Sequence, residues 1–140
     1  MSIKPYNYSF SHPFKNDLAT NRLLEEYEKY GKLYVAFDFD NTIFDYHNNG
    51  GNYSEVISLL QECSKLGFIM ILFTVCSDKD RLDFMKAFCK HYNIRIDFIN
   101  ESPLFPNSGK PYYNVLLDDR AGLESAYSQL KTVIRKIESI

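Results

Sequence analysis

Asp38 and Asp40 stand one residue apart, directly after the uninterrupted apolar run Leu33-Tyr34-Val35-Ala36-Phe37. Such a run reads as a strand buried on both faces, as in a parallel sheet. Open parallel sheets take their ligands beyond the carboxyl ends of the strands. Two carboxylates at that lip repel each other, and a divalent cation or a shared proton relieves the repulsion. Two further apolar runs end in the same way: Ile71-Leu72-Phe73 at Thr74, and Val115-Leu116-Leu117 at Asp118-Asp119. Lys110 lies in the loop before the last of these and is expected at the same edge. The set suits phosphoryl transfer. A carboxylate nucleophile needs a polarised electrophile, Mg²⁺ bridges carboxylate and phosphate oxygens, and a lysine ammonium and a threonine hydroxyl hold non-bridging oxygens.

The elements that must carry these residues alternate along the chain. An irregular, aromatic arm over 1–16 contains Pro5 and Pro13. A helix from 17 to 30 follows, with Ala19, Leu23, Tyr27 and Tyr30 on one face and Gly31 to end it. Strand one covers 33–37. The run Asn48-Asn49-Gly50-Gly51 marks a turn. Ser54 is placed to cap a second helix, which Gly67 closes. Strand two covers 68–73, and Ser77 is placed to cap a third helix with Leu82, Met85, Phe88 and Tyr92 as its stripe. A short strand near 95–99, a loop over 101–110 with Pro103, Pro106 and Gly109, strand four at 115–117 and a final helix complete the chain. Strand and helix in alternation predict an α/β domain, a three-layer Rossmann-like α/β/α arrangement with a mainly parallel sheet.

At 140 residues a single domain, 1–140, with its own core is expected. The net charge of -2 gives no basic footprint for nucleic acid. The 11 Tyr and 11 Phe are enough to fill a core and line one side of a pocket. Three cysteines, Cys63, Cys76 and Cys89, lack metal-site spacing and argue against a disulfide framework. The start has no apolar signal core and no run reaches membrane-spanning length, so a cytoplasmic protein without membrane insertion is expected.

On four motifs spanning about residues 33–123, the sequence resembles the haloacid dehalogenase-like phosphatase superfamily. The motifs are Asp38-Phe39-Asp40-Asn41-Thr42, then Ile71-Leu72-Phe73-Thr74, then Lys110, then Leu116-Leu117-Asp118-Asp119-Arg120. Each stands at a predicted strand end or in the loop beside it. The resemblance implies that Asp38 is the nucleophile, forming an aspartyl-phosphate, and that Asp40 protonates the leaving group and then activates water. It implies that Thr74 and Lys110 bind the phosphoryl oxygens. Mg²⁺ would be held by Asp38, the Asp40 carbonyl and Asp118, with Asp119 a second carboxylate, direct or through water. Dehalogenases of the superfamily lack the second aspartate and its ion pumps carry threonine there, so Asp40 points to a phosphatase. A phosphotransferase keeps the same aspartate. The intervals 42–74 and 74–110 leave no room for a cap domain, which resembles the capless subgroup. The cleft is then open to a bulky substrate or to a covering subunit, a homo-oligomer included.

The expected activity is Mg²⁺-dependent hydrolysis of a small phosphate monoester. The Leu117-Asp118-Asp119-Arg120 stretch after a lysine is similar to the 5'-deoxyribonucleotidase branch, which makes a nucleotide the first substrate to try. A nucleic-acid phosphate end comes second, because the chain lacks a basic composition. The rival from another class is an idle module that senses phosphate or metal in the same cleft, and the intact Asp40 counts against it. Taken singly, the residues have plainer readings. Asp40 or Asp119 could cap a helix, Thr74 could satisfy the backbone, and Lys110, His47 and Arg120 could be solvated or paired at the surface. Phe44, Tyr46 and Tyr53 flank the loop after the first motif, as a base-stacking surface or as a shield from water.

Overall fold

The computed structural model describes residues 14–139. The expected arm over 1–16 therefore lies, up to residue 13, outside the described residues. In chain order the elements are α1 (Asn16–Tyr30), β1 (Tyr34–Asp38), α2 (Ser54–Lys65), β2 (Ile69–Phe73), α3 (Lys79–His91), β3 (Phe98–Ile99), β4 (Val115–Leu117) and α4 (Leu123–Glu138). The four strands form one all-parallel sheet in the order β3-β2-β1-β4, flanked by the four helices. This is the Rossmann-like α/β class expected from the alternation.

Parallel pairing follows from strands that are apolar on both faces. Val35, Ala36 and Phe37 are each 0% exposed, so β1 can only lie between two other strands. In register, Val35 faces Met70 and Val115, and Phe37 faces Leu72 and Leu117. These six side chains share one face and join the helices' Leu23, Leu60, Cys63, Met85, Leu130 and Ile134 in a single core. Full burial of each such side chain contributes about 1.5–3 kcal/mol. The other face carries Tyr34, Ala36, Ile71 and Phe73. Here Tyr112 and Tyr113 of the 101–113 segment meet the Tyr34 and Phe73 rings edge-on at 5.9 and 5.5 Å.

Polar side chains extend the ladders where strands stop. At the amino end, Met70 N–H donates to the Asp97 carboxylate (2.8 Å) and Tyr34 N–H to the Asn114 side-chain oxygen (2.6 Å). At the carboxyl end, Asn100 Oδ1 accepts from Thr74 N–H (2.9 Å), and its Nδ2 donates to Thr74 O (2.7 Å). Each replaces a backbone partner that a short neighbouring strand cannot supply.

Several boundaries differ from the sequence expectation. β3 forms only at Phe98–Ile99, because Asp97 pairs through its carboxylate and Arg95 is tied to the carbonyls of Ser64 and Phe68. Ser54 begins α2 but does not cap it; the Asn52 side chain accepts the Ser54 N–H (3.0 Å). Asp78, not Ser77, caps α3, accepting from Arg81 N–H (2.9 Å). Gly31 ends α1 as expected, at φ 75° with its N–H on Tyr27 O. Tyr30, expected on the buried face of α1, is 63% exposed. Between Thr42 and Thr74 lie one loop, α2 and β2; between Thr74 and Lys110 lie α3, β3 and loop. No helix among the described residues is long and apolar enough to cross a membrane.

Candidate active site

The strand order sets the site. β1 is central, between β2 and β4, so Asp38 at its end lies between Thr74 after β2 and Asp118-Asp119 after β4. A cleft of about 490 Å³ opens there, lined among others by Asp38, Asp40, Thr74, Asn100, Asp118 and Asp119, with Tyr46, His47, Val75 and Arg120 around it. A wider groove of about 1180 Å³ lies away from these residues, between α2, α3 and the β3 edge. The carboxylate cleft is the smaller of these two concavities and the one lined by Asp38, Asp118 and Asp119.

Asp38, Asp118 and Asp119 each bring a carboxylate oxygen within 4.8 Å of the others. Asp38 is pushed up to about 7, first by burial, then by the Asp118 charge and a hydrogen bond shared with Asp119; Thr42 and the Phe39 N–H oppose the rise. Three hard oxygen donors gathered at this separation, one of them reluctant to ionise, fit a divalent cation such as Mg²⁺. Asp40 stands apart from that cluster. The repulsion expected between Asp38 and Asp40 arises instead between Asp38 and Asp118. Asp40 turns to Arg81 of α3, whose Nη2 lies 2.5 Å from Asp40 Oδ1.

The loop after β1 is folded by its own backbone. The Phe39 carbonyl accepts the N–H groups of Thr42, Ile43 and Phe44 (3.3, 3.0 and 3.1 Å), and Asn41 N–H donates to Phe44 O (2.7 Å). Asn41 takes φ 62°, a left-handed conformation asparagine tolerates. The turn buries Thr42 completely. Its hydroxyl accepts from Asp119 N–H (3.1 Å) and reaches Asp38 Oδ2 at 3.2 Å. Farther on, the Asp45 carboxylate gathers the N–H groups of Asn49, Gly50 and Gly51 (3.0, 2.8 and 3.1 Å), which hold it below the usual carboxylate range.

Thr74 lines the cleft. Its hydroxyl oxygen accepts from Cys76 N–H (3.1 Å), and no hydrogen bond among the described residues uses its hydrogen. Asp119 does not cap α4; Gly122 begins that helix in the left-handed conformation. Arg120 and His47 line the cleft, while Phe44 packs on Phe39 at 5.4 Å. Lys110 is not brought to this cleft. It is exposed in a separate recess with Phe105, Ser108, Pro111, Tyr112 and Tyr113. Its turn is closed by Ser108 N–H on Phe105 O (3.0 Å) and Lys110 N–H on Ser108 Oγ (3.2 Å). Sequence reasoning missed Arg81 and Asn100. They stand 41 and 26 residues from their partners, and no local pattern marks them.

Fold and site together define an α/β domain of the Rossmann-like type with an acidic cleft at the carboxyl edge of its sheet. No family model matches the chain, and no curated protein matches it. Among solved structures it is similar to a conserved protein from Bacteroides thetaiotaomicron, at 22% identity and a TM-score of 0.56. The match covers 72% of this chain and 91% of that one. A likeness at that identity concerns the fold.

Proposed function

We propose that this protein is a Mg²⁺-dependent phosphomonoesterase of the haloacid dehalogenase-like, capless type, acting through an aspartyl-phosphate on Asp38. The observation that carries the reading is the convergence of the Asp38, Asp118 and Asp119 oxygens within 4.8 Å in a cleft that Asp40 and Thr74 also line. Asp38, Asp118 and Asp119 would hold the cation, which offsets carboxylate repulsion and draws charge from the phosphoryl oxygens.

In this reading a carboxylate oxygen of Asp38 forms a bond to phosphorus as the ester P–O bond breaks. Asp40 gives its proton to the departing alkoxide. Water then attacks the phosphorus of the aspartyl-phosphate, Asp40 takes the water's proton, and the bond to Asp38 breaks to release inorganic phosphate. The Thr74 hydroxyl hydrogen is available to a phosphoryl oxygen in both steps. A lysine contact from Lys110 requires its turn to leave the recess it occupies. Tyr46, His47 and Arg120 at the cleft suit a small anionic ester with a planar group, and nucleotides are the first class to try.

The test is phosphate release from a panel of phosphate esters, with Mg²⁺ and with a chelator. Metal-dependent turnover that disappears in Asp38→Asn supports the reading. Silence on every ester, or full activity in Asp38→Asn, overturns it.

A further inference from the structure

Arg81 is held in an unusual way for a side chain at a domain surface. It lies in the first turn of α3, and its guanidinium carbon is 5.1, 5.2, 5.7 and 5.7 Å from the ring centroids of Phe84, Phe44, Phe39 and Tyr46. The rings support one another: Phe44 meets Phe84 at 5.3 Å, and Phe39 meets Phe88 at 5.1 Å. An exposed arginine ordinarily spends its rotamer freedom in solvent, and its ion pairs contribute little. Here the aromatic faces attract the cation and restrict where it can go. One Nη2–H is thereby aimed at Asp40 Oδ1, and the side chains of the two partners are 28% and 35% exposed. Among the described residues no other side-chain hydrogen bond is made to Asp40, so its second oxygen is left to the cleft.

We propose that Arg81 is a positioning residue for the phosphomonoesterase reaction, a role that rests on that reading of the cleft. By clamping one carboxylate oxygen it presents the other, first to the leaving group and then to water. Arg81 itself is not among the residues lining the cleft and acts through Asp40. The arrangement also ties the loop after β1 to α3, two segments that share no sheet pairing. The acid/base is therefore held from outside its own loop.

The role predicts a dependence on the leaving group that a purely structural residue would not produce. An alkyl phosphate needs a proton delivered to its departing oxygen, whereas 4-nitrophenolate leaves without one. General acid–base catalysis is worth about 10²–10⁴-fold. Arg81→Gln is therefore expected to lower kcat/KM for an alkyl phosphate by about tenfold to a hundredfold, and for 4-nitrophenyl phosphate by no more than about threefold. Because water activation also suffers, rapid acid quench with the nitrophenyl ester should trap more phosphate on the variant than on the parent protein. Arg81→Lys, which keeps the charge, should recover part of the alkyl phosphate activity. Should Arg81→Gln fail to fold by thermal melt, Phe84→Leu loosens the guanidinium without removing it. It should show the same substrate order with a smaller loss. Equal losses on both esters, or no loss on either, overturn the positioning role while the parent's turnover leaves the phosphatase reading standing. A parent protein silent with Mg²⁺ on every ester of the panel overturns the two together.

Discussion

The Thr42 hydroxyl links Asp38 to Asp119 across the cleft floor. It accepts the Asp119 N–H at 3.1 Å and lies 3.2 Å from Asp38 Oδ2, although the two aspartates belong to different strand ends. Thr42 is fully buried, so water cannot replace it. Thr42→Val keeps the shape and removes the polar atom, leaving the Asp119 N–H without its partner. That costs about 1–3 kcal/mol. We expect a lower unfolding midpoint in denaturant for Thr42→Val and near-parent stability for Thr42→Ser. A weaker Mg²⁺ affinity, read by calorimetric titration, should follow the same order.

Asp38 makes the metal-free protein sensitive to pH. Its carboxyl rises from 3.8 to about 7 in the fold, through burial first and the Asp118 charge second. A proton is thus held by the folded state that the unfolded chain has already given up. This contribution to stability is complete below a pH of about 4 and is lost as pH rises through about 7. With a chelator present, Asp38→Asn and the parent should melt alike in acid, and the variant should melt higher in mild base. A constant difference across that range would contradict the assignment.

Cation binding should reverse the same penalty. A ligand that binds only the folded state stabilises it by about 2.7 kcal/mol at a hundredfold excess over its dissociation constant. Mg²⁺ should raise the melting temperature of the parent, and more so in mild base, where Asp38 has lost its proton. Asp118→Asn removes both one carboxylate of the three-aspartate cluster and the second-largest cause of the raised Asp38 value. We expect this variant to melt at or above the parent in chelator, yet to gain almost nothing from Mg²⁺. A full Mg²⁺ shift in Asp118→Asn would place the cation elsewhere.

The strand ends were legible because one rule covers them. Apolar runs with no alternation had to pair in parallel, and parallel strands deliver their carboxyl ends to one edge. Asp38, Thr74 and Asp118 therefore meet although they are far apart in the chain. Side chains that substitute for backbone were not legible. Asp97 takes the place of a strand residue before β3, and neither its type nor its spacing announces that its carboxylate will accept Met70 N–H. Arg81 reads as one charge on the exposed side of a helix; its meaning comes from four rings, three of them in the loop after β1 and the fourth one turn further along α3. Lys110 shows the opposite failure. Its place before β4 suggested the cleft, but a local turn and two tyrosines hold that segment against the other face of the sheet.

Asn100 offers a test of how the loop that begins at Thr74 is held. Its backbone N–H donates to Leu72 O at 2.9 Å, and its side chain then continues the ladder by pairing with both the N–H and the C=O of Thr74. The residue sits at φ 58°, where glycine is unstrained and alanine costs about 1–2 kcal/mol. Asn100→Gly therefore removes the two amide bonds without adding strain, and each is worth about 0.5–1.5 kcal/mol. Asn100→Ala should be less stable than Asn100→Gly by about the strain term. In the phosphatase reading, Asn100→Gly leaves Asp38 and Asp40 in place and frees Thr74. The expected outcome is a KM raised about threefold to tenfold with kcat within about twofold of the parent. A fall confined to kcat would mean that Thr74 does not bind the ground-state phosphate.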